Sequence, residues 1–552
     1  MKKIISVILA AIMMLSVMTI AVSAASKPLN LTIVTDIHYS APYSQGPVVG
    51  STDENPWGHV ISNGKLVWES EAIFDEFLVQ VAANKPDYLV LTGDNCDTGH
   101  PDSMAGFVER MEAFEASTGV PVITLIGNHE LYFEGFEPDE WKAAVWNLGY
   151  DLANAIDPDS CSFTVDIGDD YRLFMIDSNR FDNDDVEWID AQVQKANEDG
   201  KKIISCTHHP IFAHYLIQDI AHASLVNKDL PLADKWIEWG IRFNFTGHTH
   251  ELDIAEFKND NGILYEIVGG ALTTYPMAYR TVQFTDKYVN IDTKYIDKID
   301  TTKLPTGYAD EALYLLNSNL KAYAKKMFIE GMVLDVGYYV NANYLIAQAK
   351  LDEEKDAVVC AALRKVIPLV REAIYGPLHG EGSLSEIAKE FNITIPESNY
   401  KSLMHVAANV YVAHCAGDEF YPPYSLEIQT AAKGLGATLS YALKDVSAEE
   451  YTAILTWAIE KFNLGDKIPV DIATYAGSAI KRAEGIEIVI GYAIIPLIDD
   501  FACDRAPSDI KTSLANYGSS GTGIMTLWEK FTNFILKILS YLTMFFNMFK
   551  TR

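Results

Sequence analysis

The chain has 552 residues, a formal charge of −32 and six cysteines scattered without a CxxC pair. That length exceeds one ordinary domain and points to two, with tails, and the cysteine spacing excludes a disulfide scaffold and a zinc knuckle. So acidic a surface disfavours nucleic-acid backbones, though not an anionic small substrate, because bound divalent cations reverse the local potential.

The N-terminus reads Met1-Lys2-Lys3, then an almost wholly apolar stretch over 4–21 and the small residues Ser23 and Ala24. A basic start, an apolar core and a small-residue close predict a secretory signal peptide over 1–25, hence a secreted, extracellular or cell-surface protein. An N-terminal transmembrane anchor is the competing reading. From 26 to 300 strands and helices alternate. The apolar run 31–35 delivers Asp36 and His38 at its C-terminal end, and the run 88–93 delivers Asp94. Between them, 68–84 carries Ile73, Phe77 and Val81 at helical spacing. The run 122–126 delivers Gly127-Asn128-His129-Glu130. A hairpin follows, 162–167 and 171–176 around Gly168-Asp169-Asp170, and then a helix over 185–198. Two more apolar runs, 203–207 and 243–247, end in His208-His209-Pro210 and His248-Thr249-His250. Strand-like stretches at 262–268 and 281–296 complete this half. The pattern predicts an α/β fold, a two-sheet sandwich flanked by helices. Five strands that end in carboxylate, amide and imidazole describe a metal site at the sheet edge, where open α/β sheets bind ligands. A donor set without thiolate suits zinc, iron or manganese. Two such cations about 3.5–4 Å apart clamp the oxygens of a phosphate and acidify a shared water.

Composition shifts near 301–307, and helical periodicity dominates 310–330, 354–375 and 403–414. Ser447-Ala448-Glu449-Glu450 is a capping-box pattern opening a helix that runs to 462. Residues 308–517 are read as an all-α domain. The stretch 517–523 has the composition of a flexible linker. Beyond it, 524–552 predicts an amphipathic C-terminal helix with a stripe that includes Phe531, Ile535, Ile538, Leu542, Phe545 and Phe549. Four fates are open for this helix: lying on a membrane surface, spanning the bilayer, docking on the protein's own α-domain, or pairing as a coiled coil, since the same residues also fit heptad spacing.

The motifs, in their order and form, resemble the calcineurin-like metallophosphoesterase superfamily. Its Asp-x-His, Gly-Asp, Gly-Asn-His-(Asp/Glu), His and Gly-His-x-His series stands here as Asp36-Ile37-His38, Gly93-Asp94, Gly127-Asn128-His129-Glu130, His208 and Gly247-His248-Thr249-His250. The resemblance covers 29–300 and implies two metal ions, zinc, manganese or iron. One is held by Asp36, His38 and His250, the other by Asn128, His208 and His248, with Asp94 bridging. A bridging carboxylate is expected to reach one metal with each oxygen. The resemblance also implies hydrolysis of a phosphodiester or phosphomonoester by in-line attack of a metal-bridging hydroxide. His129 is then catalytic, a donor to the leaving-group oxygen, oriented by Glu130. Purple acid phosphatases of the superfamily carry a tyrosine ligand where this chain has Asp97, so their colour is not expected. His209 either binds substrate or packs. His59, His100, Tyr132, His214 and His222 lie in loops that face the site or solvent, and substrate-binding residues are unassigned. The competing class is a non-catalytic metal-binding scaffold or envelope-binding protein that retains the fold. Such scaffolds tend to lose ligands or the Gly-Asn-His histidine, which this sequence keeps.

Overall fold

Short apolar runs, each ending in a polar loop, build two mixed sheets packed face to face. The computed structural model describes residues 27–41, 64–131, 137–215, 218, 224–227, 230–417, 419–461, 495, 502 and 507–517. The signal-peptide segment 1–25, His59, Tyr132, His222 and the C-terminal helix 524–552 lie outside the described residues. The strands are β1 (Leu29–Val34), β2 (Tyr88–Leu91), β3 (Val122–Thr124), β4 (Ala153–Ile156), β5 (Phe163–Ile167), β6 (Tyr171–Ile176), β7 (Lys202–Thr207), β8 (Phe243–Thr246), β9 (Asp253–Asn259), β10 (Gly262–Val268), β11 (Ala278–Phe284), β12 (Tyr288–Tyr295) and β13 (Lys511–Ala515).

One sheet has the order β13-β12-β11-β1-β2-β3 and the other β4-β5-β6-β7-β8-β10-β9. Parallel blocks sit at the heart of each: β1, β2 and β3 in the first, β6, β7, β8 and β10 in the second. Parallel strands covered on both faces need unbroken apolar runs, and Leu89, Val90 and Leu91 of β2 are all buried accordingly. Leu31, Ile33 and Leu91 meet Phe163, Leu173, Ile204, Phe243 and Ile267 in one core between the sheets. The helix Ser70–Asn84 adds Ile73, Phe77 and Val81 to it. The helices Asn183–Glu198 and Leu232–Glu238 pack a second apolar cluster around Trp236.

Eight helices occupy 310–461 among the described residues. The capping box is present, with Glu450 N–H donating to Ser447 Oγ at 3.2 Å and Ser447 N–H to Glu450 Oε2 at 2.7 Å. The periodic run 310–330 is two helices, Asp310–Ser318 and Leu320–Tyr339, because Asn319 stops the first and caps the second through its side chain. One segment of the all-α reading of 308–517 is corrected: Lys511–Ala515 is a strand on the edge of the first sheet, antiparallel to β12. Only Leu514 and Ala515 of that strand turn inward, too little apolar alternation to mark it. Among the described residues no helix is long and apolar enough to cross a membrane.

Candidate metal centre

The parallel strand ends meet at one edge, where each chain segment turns sharply to present a polar side chain. Asp36 (φ 50°), His38 (47°), Asp94 (50°), His248 (69°) and His250 (61°) are all left-handed. That conformation costs of order 1–3 kcal/mol per non-glycine residue and gathers at functional sites. Main-chain bonds tie the turns together: Asp36 N–H to Gly93 O at 3.0 Å, His38 N–H to Asp94 O at 3.0 Å, Gly247 N–H to His208 O at 2.9 Å. Gly127 and Gly247 allow the approach. A Cβ on Gly127 would strike the backbone and carboxylate of Asp94, and one on Gly247 the Thr35 hydroxyl and the Asp36 carboxylate.

Seven side chains converge in two sets. In the first, His250 Nε2 lies 2.9 Å from His38 Nε2 and 3.2 Å from Asp36 Oδ1. In the second, Asn128 Oδ1 lies 3.0 Å from His208 Nε2 and 2.9 Å from His248 Nδ1. Asp94 Oδ2 sits between them, 3.9 Å from His38 Nε2 and 3.2 Å from His208 Nε2. Its other oxygen accepts the His129 N–H at 2.9 Å. One oxygen of Asp94 therefore faces both sets, where the sequence reading assigned one oxygen to each, because the Gly127 turn aims a backbone amide at Oδ1. Asp36 is arranged alike. Its Oδ2 accepts the Thr35 hydroxyl at 2.6 Å and the His248 N–H at 2.9 Å, which leaves Oδ1 buried without a hydrogen-bond partner.

Donor atoms bound to one cation at about 2.0–2.2 Å stand roughly 3–3.5 Å apart, which is close to the spacing inside each set. The charges also ask for cations. Burial opposes ionisation of Asp36 and Asp94, yet His250 and His38 beside the first and His208 beside the second hold both well below the usual carboxylate range. Against its own burial, His208 is pushed up to about 9 by Asp94, a sign that the carboxylates here favour positive charge beside them. The residues fit a pair of divalent ions.

The supporting residues are less visible in sequence. His208 Nδ1–H donates to Thr92 O at 3.0 Å, which leaves Nε2 with its lone pair. His38 Nδ1 faces Asp97 Oδ1 at 3.4 Å, and Asp97 is paired with the buried Lys65 at 2.9 Å. His129 Nδ1 lies 2.6 Å from the Asp97 carbonyl oxygen, and its Nε2 3.8 Å from Asp94 Oδ2. Burial, with Lys65 nearby, holds His129 down to about 3, a neutral ring. Asp97 thus braces both histidines, and its place three residues after Asp94 is the signal that marks it. Lys65 has no motif around it and is not legible. Glu130, expected to orient His129, instead accepts from Cys96 N–H at 2.9 Å and Gly127 N–H at 2.6 Å. It braces the glycine turn. Of the loop histidines, His100 caps the helix Pro101–Thr118, and His214 is buried between Asp253 at 2.6 Å and Glu266 at 3.1 Å.

Residues 29–252 match the family model described as calcineurin-like phosphoesterase. The chain is similar to the serine/threonine-protein phosphatase CPPED1 of Bos taurus, 23% identical over 290 residues, 47% of this chain and 82% of that protein. It is also similar to a protein of Rhodococcus erythropolis named a probable cyclic nucleotide phosphodiesterase, 25% identical over 210 residues, 36% of this chain and 64% of that one. Among solved structures, a dimetal phosphatase from Danio rerio aligns at 14% identity over 48% of this chain and 96% of its own, with a TM-score of 0.35. Residues 29–252 belong to the calcineurin-like metallophosphoesterase superfamily, a family that binds two divalent metals.

Proposed function

We propose that the chain is a metal-dependent hydrolase of a phosphodiester or phosphomonoester. Asp36, His38 and His250 hold one divalent ion, Asn128, His208 and His248 the other, and Asp94 serves both. The observation that carries this reading is the pair of donor sets sharing Asp94 Oδ2. Cations held there would polarise phosphoryl oxygens and bring a water's acidity near neutral pH. Family membership supports phosphate esters as substrates. The relatives' names, a protein phosphatase and a cyclic nucleotide phosphodiesterase, support monoester and diester readings alike.

His129 is the proton carrier. Its Nδ1–H is engaged by the Asp97 carbonyl, and its Nε2 stands 3.8 Å from Asp94 Oδ2, on the side of the reacting groups. As the oxygen of the attacking water bonds to phosphorus, the bond from phosphorus to the leaving oxygen breaks. A proton carried on His129 Nε2 passes to that departing oxygen, and the proton given up by the attacking water goes to solvent. The test is a panel run on the metal-reconstituted chain: nitrophenyl phosphate, bis-nitrophenyl phosphate, cyclic nucleotides, nucleotides, glycerophosphodiesters and phospholipids. Turnover of at least one ester, abolished by a chelator and restored by zinc, manganese or iron, is expected. Reconstituted protein without bound metal, or turnover indifferent to chelators, overturns the reading.

We propose further that the mature protein is secreted or attached to the cell surface. The signal-peptide pattern at 1–25 and the amphipathic stripe at 524–552 support this. Recovery of the uncleaved chain from the cytoplasm alone would overturn it.

A further inference from the structure

His208 and His209 are adjacent, yet their rings are wired in opposite senses. His208 Nδ1 faces a carbonyl oxygen, that of Thr92 at 3.0 Å, so it carries the hydrogen and Nε2 is bare. His209 Nδ1 faces the Ser178 hydroxyl at 2.9 Å. That hydroxyl oxygen already accepts two backbone N–H groups, from His208 at 3.1 Å and His209 at 3.0 Å. Both of its lone pairs are used, so its own hydrogen goes to His209 Nδ1. Nδ1 of His209 is therefore an acceptor, and the neutral ring bears its hydrogen on Nε2. A protonated nitrogen cannot bind a metal, although the ring lies 4.2 Å from that of His248 and 5.0 Å from that of His208. Nε2 has no hydrogen-bond partner among the described residues, and His209 is only half-buried. Phosphoryl oxygens only accept hydrogen bonds, and here a fixed donor stands beside the set that reaches them.

We propose that His209 is a substrate-binding residue whose Nε2–H, locked as a donor by Ser178, holds an anionic oxygen of the phosphate ester beside the Asn128–His208–His248 set. This rests on the phosphoesterase reading. A hydrogen bond to a charged oxygen, once lost, weakens binding roughly 10- to 100-fold.

The test uses the full metal-loaded chain and orthophosphate as the probe. Nitrogen-15 spectra of the histidines, with the His209 signals identified by their absence in His209→Gln, are expected to show the Nε2–H tautomer and a shift of that nitrogen on adding phosphate. His209→Ala is expected to weaken phosphate binding and raise KM by about 10- to 100-fold, with kcat moving less and both metals retained. His209→Gln, whose side-chain amide offers a donor near the same place, is expected to recover part of the loss. An Nδ1–H tautomer overturns the proposal, and so does the loss of a metal in His209→Ala, which would make the residue a ligand. Unchanged phosphate affinity overturns it too, leaving His209 a packing residue. If His209→Ala does not fold, the spectrum of the unsubstituted chain decides, and no shift with phosphate is the overturning result. Should the unsubstituted chain neither bind phosphate nor cleave any ester, the phosphoesterase reading falls and takes this proposal with it. If it does both while the His209 variants match it, only this proposal falls.

Discussion

His129 sets its Nδ1 on the Asp97 carbonyl and its Nε2 3.8 Å from Asp94 Oδ2, a position from which it can pass a proton to a departing oxygen. Such a group helps most when the departing oxygen is basic. His129→Ala is therefore expected to cost roughly 10²–10⁴-fold in kcat on esters with an alkoxide leaving group, the range of general acid–base catalysis. On a nitrophenolate, which departs without a proton, the loss should be far smaller. The comparison needs matched alkyl and nitrophenyl esters under the same metal loading. Equal losses on the two would assign His129 to holding the phosphoryl group instead. The candidate residues are legible because each closes an apolar run, so chain order alone brings Asp36, Asp94, Asn128, His208 and His248 to one edge. What holds them is not legible by that route. Ser178 and Lys65 act through contacts with residues 31 and 32 positions away in the chain, and no local pattern encodes such a partner. Glu130 shows the converse, since a carboxylate next to His129 in sequence spends both oxygens on backbone amides.

Elements join through single buried groups as well as through apolar faces. Glu69 precedes the helix Ser70–Asn84 but does not cap it with its side chain. Its carboxylate accepts the hydroxyls of Tyr308 at 2.8 Å and Tyr323 at 2.7 Å, which stitches the start of the helical half to the sandwich. Burial raises its pKa above the usual value despite those two bonds. An acid whose folded pKa is raised binds its proton more tightly when folded. Its contribution to stability is therefore whole below the unfolded-state pKa and is lost as pH rises through the folded value. Unfolding by urea at a series of pH values should show this slope, and Glu69→Gln should flatten it. Glu69→Ala leaves two tyrosine hydroxyls without their acceptor and should cost about 1–3 kcal/mol. An unaltered slope in Glu69→Gln would mean that another group titrates there. Elements with strong periods were readable, such as the helix Leu403–His414. β13 was not, since its pairing partner Tyr288–Tyr295 lies more than 200 residues earlier and only one end of the strand is buried.

At the scale of the whole molecule, the helical half and the sandwich share one core. Leu316, Leu320, Tyr323, Phe328 and Val412 belong to the same apolar cluster as β1, β2 and β3. At roughly 1.5–3 kcal/mol for each large side chain buried, those five together rival the net stability of a domain, roughly 5–15 kcal/mol. Polar ties follow the same seam and reach the metal motif. Leu252 N–H donates to Cys415 O at 3.1 Å. His414 lies 2.7 Å from Glu419 and 3.5 Å from Glu251, the residue after His250. Asp509 accepts the Ile254 N–H at 2.7 Å, and its carbonyl takes the Arg280 guanidinium. A chain cut after residue 300 would lose β13, expose the shared core and strand Glu251 without its imidazole. It is expected to aggregate, or to melt without a cooperative transition, and to bind less than two equivalents of metal. Size-exclusion chromatography, thermal melting followed by near-UV circular dichroism, and elemental analysis of the cut and full chains measure these directly. If the cut chain is monomeric, melts cooperatively and holds two metals, then 308–517 is an accessory unit and the seam does not hold the metal centre in place.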